Sequence, residues 1–145
     1  MSDYRETFEQ LLERNKNKKP RKHPSDEEHR LQAACVRWFR LQYPALRNNL
    51  FAVPNGGRRD KATGAKLKEE GVVAGVSDLI LLCRNETYGA LLIEMKTPTG
   101  AQSPSQKEWQ DTMESDGYHY VVCRSIEDFR REVDDYLKNQ YIHIR

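Results

Sequence analysis

The chain lacks any apolar run approaching the about 18 residues a membrane span requires. Its first residues carry no apolar stretch of the signal-peptide kind, so the expected setting is intracellular and cytoplasmic. Cysteine is scarce. Cys35, Cys83 and Cys123 are odd in number, widely separated and set in apolar patterns, which reads as reduced core thiols rather than a disulfide framework. The histidines, His23, His29, His119 and His143, have no cysteine or histidine partner at zinc spacing. Charge of one sign is also missing in bulk. The net charge is only +2, so any affinity for nucleic acid must come from local clustering. No internal repeat is visible.

What remains is enough for one domain. The 145 residues are 37% hydrophobic and 32% charged, which suits one sheet with helices around it. Residues 1–24 read as a basic N-terminal arm, a short helix over Tyr4–Arg14 followed by a Pro-bounded linker with Lys16, Lys18, Lys19, Arg21 and Lys22. Residues 25–145 read as the folded domain. A helix is expected from Ser25 to about Tyr43, stopped by Pro44. A short strand over Asn49–Val53 and a turn over Pro54–Arg59 follow, then a helix from Lys61 to Glu70 closed by Gly71. A β-hairpin covers 78–96. Ser103-Pro104 opens a helix to about Asp116, with Gly117 as the stop, then come a strand over Tyr118–Cys123 and a closing helix from Ser125 to about Gln140. The order αβαββαβα is that of a mixed α/β layer architecture.

The hairpin holds the most informative residues. Its apolar runs contain Asp78 at the mouth of the first and Glu94-Met95-Lys96 at the end of the second. A strand has period two, so Glu94 and Lys96 project from one face, and an antiparallel turn can bring Asp78 beside Glu94. Burying such charges without partners costs several kcal/mol. A divalent metal is one reason for them. Two carboxylates suit Mg²⁺, which prefers oxygen ligands, and an ammonium beside the ion can orient an attacking water or offset charge on phosphorus. A structural ion pair of Glu94 with Lys96 or a neighbouring arginine is the other reading.

Two helices repeat this ambiguity. Glu28 and Gln32 share a helix face with Leu31, Cys35, Trp38 and Phe39, where polar groups need polar partners. Glu28 can join the metal shell with Gln32 steadying it, or close a capping box with Ser25. Gln106 closes a capping box with Ser103, yet lies on the face of Trp109, Gln110 and Met113 and can reach inward.

The pieces Glu28-x-x-x-Gln32, Pro54-Asn55-Gly56-Gly57-Arg58, Gly64-Ala65-Lys66-Leu67-Lys68-x-x-Gly71, Gly75-Val76-Ser77-Asp78, Glu94-Met95-Lys96, Ser103-Pro104-Ser105-Gln106-x-x-Trp109 and Gly117 occur in that order. In this order and spacing the chain resembles the VRR-NUC domain, a branch of the PD-(D/E)xK nuclease superfamily, over roughly residues 25–140. One departure is Ser77, where the family usually has proline before the aspartate. The resemblance implies a restriction-endonuclease-like fold, a mixed β-sheet flanked by helices. It implies that Asp78, Glu94, the Met95 carbonyl and Glu28 ligate Mg²⁺ or Mn²⁺, that Lys96 positions the water, and that Gln106 supports Lys96 or the water. No organic cofactor is implied. Small stand-alone relatives of bacterial or phage type are homodimers that cut branched DNA such as four-way junctions, which is the expected activity here. A flap or restriction-like DNA nuclease and a catalytically inert nucleic-acid-binding module are the alternatives.

DNA contacts are expected from the basic segments. Arg58, Arg59 and Lys61 flank Asn55-Gly56-Gly57, whose backbone can lie close to phosphates, and Lys66 and Lys68 extend the track. The basic arm is a second phosphate track or a solvated tail.

Overall fold

The structure, a computed structural model, describes residues 24–54 and 61–138. Residues 1–23 of the arm, with the expected Tyr4–Arg14 helix, the Asn55–Arg59 segment with Asn55, Gly56, Gly57, Arg58 and Arg59, and the residues after Lys138 lie outside those described. The elements in order are α1 (Pro24–Gln42), a 3₁₀ turn (Pro44–Leu46), β1 (Leu50–Ala52), α2 (Lys61–Glu69), β2 (Leu79–Leu81), β3 (Leu91–Met95), α3 (Pro104–Ser115), β4 (His119–Cys123) and α4 (Ile126–Lys138). This is the αβαββαβα order expected from the sequence.

The strands form one four-stranded sheet in the order β1-β2-β3-β4. β1–β2 and β2–β3 are antiparallel, and β3–β4 is parallel, so the sheet is mixed. The parallel pair needs a crossover, which α3 supplies. Because side chains alternate along β3, the sheet buries two faces. Leu91, Ile93 and Met95 meet Cys35 and Phe39 of α1 and Phe129 and Val133 of α4. Leu92 and Tyr120 face the other way, against Trp109 and Met113 of α3. All five residues of β3 are buried, as expected of a strand covered on both faces.

Local chemistry sets the ends of these elements. Asp26 and Glu27 in the first turn of α1 and Arg40 in its last complement the helix dipole. α2 ends in a Schellman motif: the Gly71 N–H donates to the Lys68 carbonyl and the Val72 N–H to the Leu67 carbonyl, with Gly71 at φ +99°. α4 is capped reciprocally. Ser125 Oγ accepts from the Asp128 N–H and Asp128 Oδ2 from the Arg124 N–H.

The hairpin is shorter than its apolar runs. β2 covers only Leu79–Leu81, although the Leu82 N–H still donates to the Asn49 carbonyl. Leu82, expected in the strand, is 60% exposed. The connection turns on Asn85, whose buried side chain accepts from the Thr87 and Tyr88 N–H groups and donates to the Tyr136 carbonyl of α4.

Candidate active site

β2 and β3 pair Leu79 with Ile93, so one further step along that register sets Asp78 opposite Glu94. The juxtaposition expected from the sequence is present. The Met95 N–H donates to Asp78 Oδ2 at 2.7 Å, which pins the aspartate to the end of β3. The Val53 N–H donates to the Asp78 carbonyl at 2.9 Å and ties β1 to the same point. Ser77, in the place of the family's proline, is fully buried, and its hydroxyl donates to the Leu79 carbonyl at 3.1 Å.

Glu94 is the centre of the constellation. It is 1% exposed in the middle of the sheet. Its Oε1 accepts from Gln106 Nε2 at 2.7 Å and faces Lys96 Nζ at 3.4 Å. Its other oxygen, Oε2, is buried and has no hydrogen-bond partner among the described residues. Burial, and next the nearby Asp78 charge, push the Glu94 carboxyl up to about 7, against an opposing pull from Lys96. The Asp78 carboxyl is likewise raised, mainly by burial. The two residues stand opposite one another where the β2–β3 register is extended by one step. Two ionised carboxylates are both acceptors and cannot satisfy one another. A shared proton or a bound cation must mediate between them.

Gln106 fulfils both roles left open by the sequence. Its Oε1 accepts from the Ser103 N–H at 2.8 Å, completing the capping box of α3, while its Nε2 holds Glu94. Its partner is thus the carboxylate, rather than Lys96. This amide is carried by the first turn of α3, and Gly75 is what lets that turn sit so close. A Cβ on Gly75 would lie 2.3 Å from the Ser105 carbonyl oxygen, and its φ is +84°. Gly75→Ala is therefore expected to destabilise the fold by about 2–4 kcal/mol, from left-handed backbone strain and overpacking together. Thermal denaturation measures this. A Tm equal to wild type would mean that the loop does not press on α3. Gln106→Ala keeps the backbone but frees Glu94, and should lower the rate of any cleavage about 10–100-fold, the usual cost of losing a group that orients a metal ligand. Steady-state kinetics with an unchanged kcat would remove Gln106 from the site.

Further supports were not foreseen from the sequence. Arg124 Nη1 donates to the carbonyls of Thr97 and Gly100, at 2.8 and 2.6 Å, and so fixes the loop that follows Lys96. Gln102 Nε2 donates to Gln110 Oε1 and to the Tyr120 hydroxyl beneath that loop. No local spacing rule announces either contact, since each depends on how the loop folds back.

Asp78 and Met95 form one end of a cleft of about 1050 Å³ between α1 and β1. Glu28 and Gln32 line its α1 wall. Glu28 is half-buried there, but among the described residues no three acidic, histidine or cysteine side chains converge closely enough to hold one ion. Glu28 shares that cleft with Asp78. α1 begins at Pro24, one residue before the expected Ser25. Lys61, Lys66 and Lys68 lie exposed on α2.

A mixed sheet flanked by helices, whose central hairpin brings two carboxylates and an ammonium together at one end, defines the class as an α/β domain. Residues 26–127 match the VRR-NUC domain family, and the chain belongs to that family, a nuclease family. A solved structure described as a "VRR_NUC domain protein" is similar, with a TM-score of 0.70 and 27% identity over 79% of this chain and 90% of that one. The comparison with curated proteins gives no match.

Proposed function

We propose that the chain is a metal-dependent, structure-selective DNA endonuclease of the Holliday-junction-resolving kind, acting as a homodimer. The observation that carries the metal is the buried Glu94 Oε2, which has no hydrogen-bond partner among the described residues, in a site where the Asp78 charge helps to raise the Glu94 carboxyl. The donors on hand fit Mg²⁺ or Mn²⁺, because all are hard oxygens: Asp78, Glu94 and the main-chain carbonyl of Met95. Glu28, on the facing wall, would complete the set through water. When bound, such an ion polarises the phosphodiester and lowers the pKa of a coordinated water.

The remaining work belongs to the chain. Lys96, with its ammonium beside Glu94 and its side chain 12% exposed, presents a positive charge where phosphorus gains negative charge. Gln106 holds the Glu94 carboxylate in one rotamer, and Arg124 holds the loop after Lys96. Burial excludes bulk water from the Glu94 side and strengthens each of these electrostatic terms. The Arg58–Arg59 loop and the α2 lysines would grip the phosphate backbone around the reaction site. Two copies related by a two-fold axis would place paired sites on a symmetric branched substrate. β1, an edge strand among the described residues with Phe51 43% exposed, and α4 are the surfaces offered for that dimer.

The test is incubation with four-way, flap and linear DNA in Mg²⁺ or Mn²⁺, with Lys96→Ala as control. Metal-dependent cutting of junctions by wild type alone is the expected result. Equal traces of cutting by both proteins would reject the enzyme. Linear DNA cut as fast as junctions would reject the structural selectivity.

A further inference from the structure

The cleft that ends at Asp78 has a second end of opposite charge. Arg37 and Arg40 of α1 line it, and Arg47, just past the 3₁₀ turn, closes it. Glu28 and Asp78 are the acidic groups of its lining, and both belong to the reaction end. Along α1 the separation is considerable. Glu28 and Arg40 are twelve residues apart, which at about 1.5 Å per residue is about 18 Å, the axial rise of roughly five base pairs.

Among the described residues, none of the three guanidinium groups has a hydrogen-bond or ion-pair partner. Other cations do have such partners: Lys96, Arg131 and Lys138 form ion pairs, and Arg124 and Arg131 donate side-chain hydrogen bonds. The sequence explains this for the helical pair. The positions three and four residues either side of Arg37 are Ala33, Ala34, Arg40 and Leu41. Those flanking Arg40 are Val36, Arg37, Tyr43 and Pro44. No carboxylate is available at helical spacing, and the two arginines are themselves neighbours on one face, which mildly disfavours the helix. Arg47 joins them because the chain reverses through the turn, where the Leu46 N–H donates to the Tyr43 carbonyl and the Asn49 N–H to the Leu46 carbonyl. A helix-dipole role suits Arg40 alone. It does not account for three arginines from two segments meeting at one groove.

We propose that this groove is a binding track for the DNA backbone flanking the cut, with Arg37, Arg40 and Arg47 each engaging phosphate. The inference rests on the nuclease reading and adds a place for the substrate on the α1 side, in addition to the α2 lysines. An extended polyanion fits better than a small one. The three charges are spread along an open groove that runs into the dicarboxylate end, so a strand with one phosphate at Asp78 and Glu94 carries its next phosphates past the arginines. Arginine suits this task because its planar fork gives two parallel hydrogen bonds to a phosphate.

The test is binding of a fluorescein-labelled DNA duplex in EDTA, followed by anisotropy between about 50 and 200 mM salt. Arg37→Ala/Arg40→Ala should weaken binding about tenfold or more and flatten the slope of log K against log salt by about two, and Arg47→Ala by about one. Arg131→Ala, on the exposed face of α4, should leave both unchanged. Folded arginine variants with wild-type Kd and slope would overturn the proposal, and so would a wild type that fails to bind duplex at the lowest salt. Should the alanine pair unfold, Arg37→Gln/Arg40→Gln keeps a polar, unbranched side chain without the charge and must show the same loss. Cleavage in Mg²⁺ is read in parallel. A wild type that cuts, beside arginine variants that bind normally, removes this track and leaves the nuclease. A wild type that binds through the arginines and never cuts removes the catalytic reading and leaves the track.

Discussion

Glu94→Gln is expected to lower metal-supported DNA cleavage about 10³-fold or more while leaving the fold intact. Glutamine has nearly the shape of glutamate, so Gln106 can still donate to the remaining oxygen. What disappears is the charge that faces Lys96 and the free oxygen that would meet the ion. In its place stands an NH₂ group, which repels a cation. Metal-borne charge stabilisation is worth several kcal/mol, and each about 1.4 kcal/mol is tenfold in rate, which gives the expected loss. The readout is cleavage rate alongside circular dichroism and Tm in EDTA. A variant that is folded and cuts within tenfold of wild type would mean that Glu94 is a structural ion pair with Lys96, the other reading its sequence position allows.

The metal-free protein should become less stable as pH rises. Burial and Asp78 raise the Glu94 carboxyl from 4.5 to about 7, so the folded state holds a proton that the unfolded chain gives up. A group with a raised folded-state pKa contributes stability that is complete below its unfolded value and is lost as pH climbs through the folded one. The window is therefore about pH 4.5 to 7, and the raised Asp78 carboxyl acts with the same sign. Asp128 acts with the opposite sign. Its carboxyl is held below its ordinary 3.8, chiefly by the Arg124 N–H, and its effect falls at more acid pH. The expected loss across the window is of order 1–3 kcal/mol, which is several degrees in Tm for a domain of this size. Mg²⁺ or Mn²⁺ should reverse it, raising Tm more at pH 8 than at pH 5, because the ion needs both carboxylates ionised. Glu94→Gln should flatten both responses. An ion that shifts Tm equally at the two pH values, or not at all, would count against a dicarboxylate metal site.

The site was legible in the sequence where it depends on local geometry. Glu94 and Lys96 are two apart on a strand, and Asp78 is returned to them by a hairpin, so strand periodicity and pairing suffice. Gln106 was legible as a capping residue, and its second bond follows because the first turn of α3 abuts the sheet at Gly75. Glu28 was harder. Its helix face was readable, but its distance from Asp78 depends on where α1 crosses β3, which no local rule supplies. Arg37, Arg40 and Arg47 were not singled out at all. Their meeting at one groove depends on the chain reversal after α1, which needs the fold to become visible. Asn85 looked like an ordinary turn residue, and only the packing of α4 buries it.

The bonds that assemble the reacting groups span little chain. Asp78 reaches Met95 across 17 residues, and Gln106 reaches Glu94 across 12. The contacts that seal the molecule are far longer, with Tyr43 bonding Asp134 across 91 residues and Tyr136 bonding Cys83 across 53. Closing a short loop costs less chain entropy than closing a long one, and contacts of low sequence separation favour fast formation. During folding, the acidic pair and its amide brace can therefore come together as a local nucleus before the first and last helices meet around them.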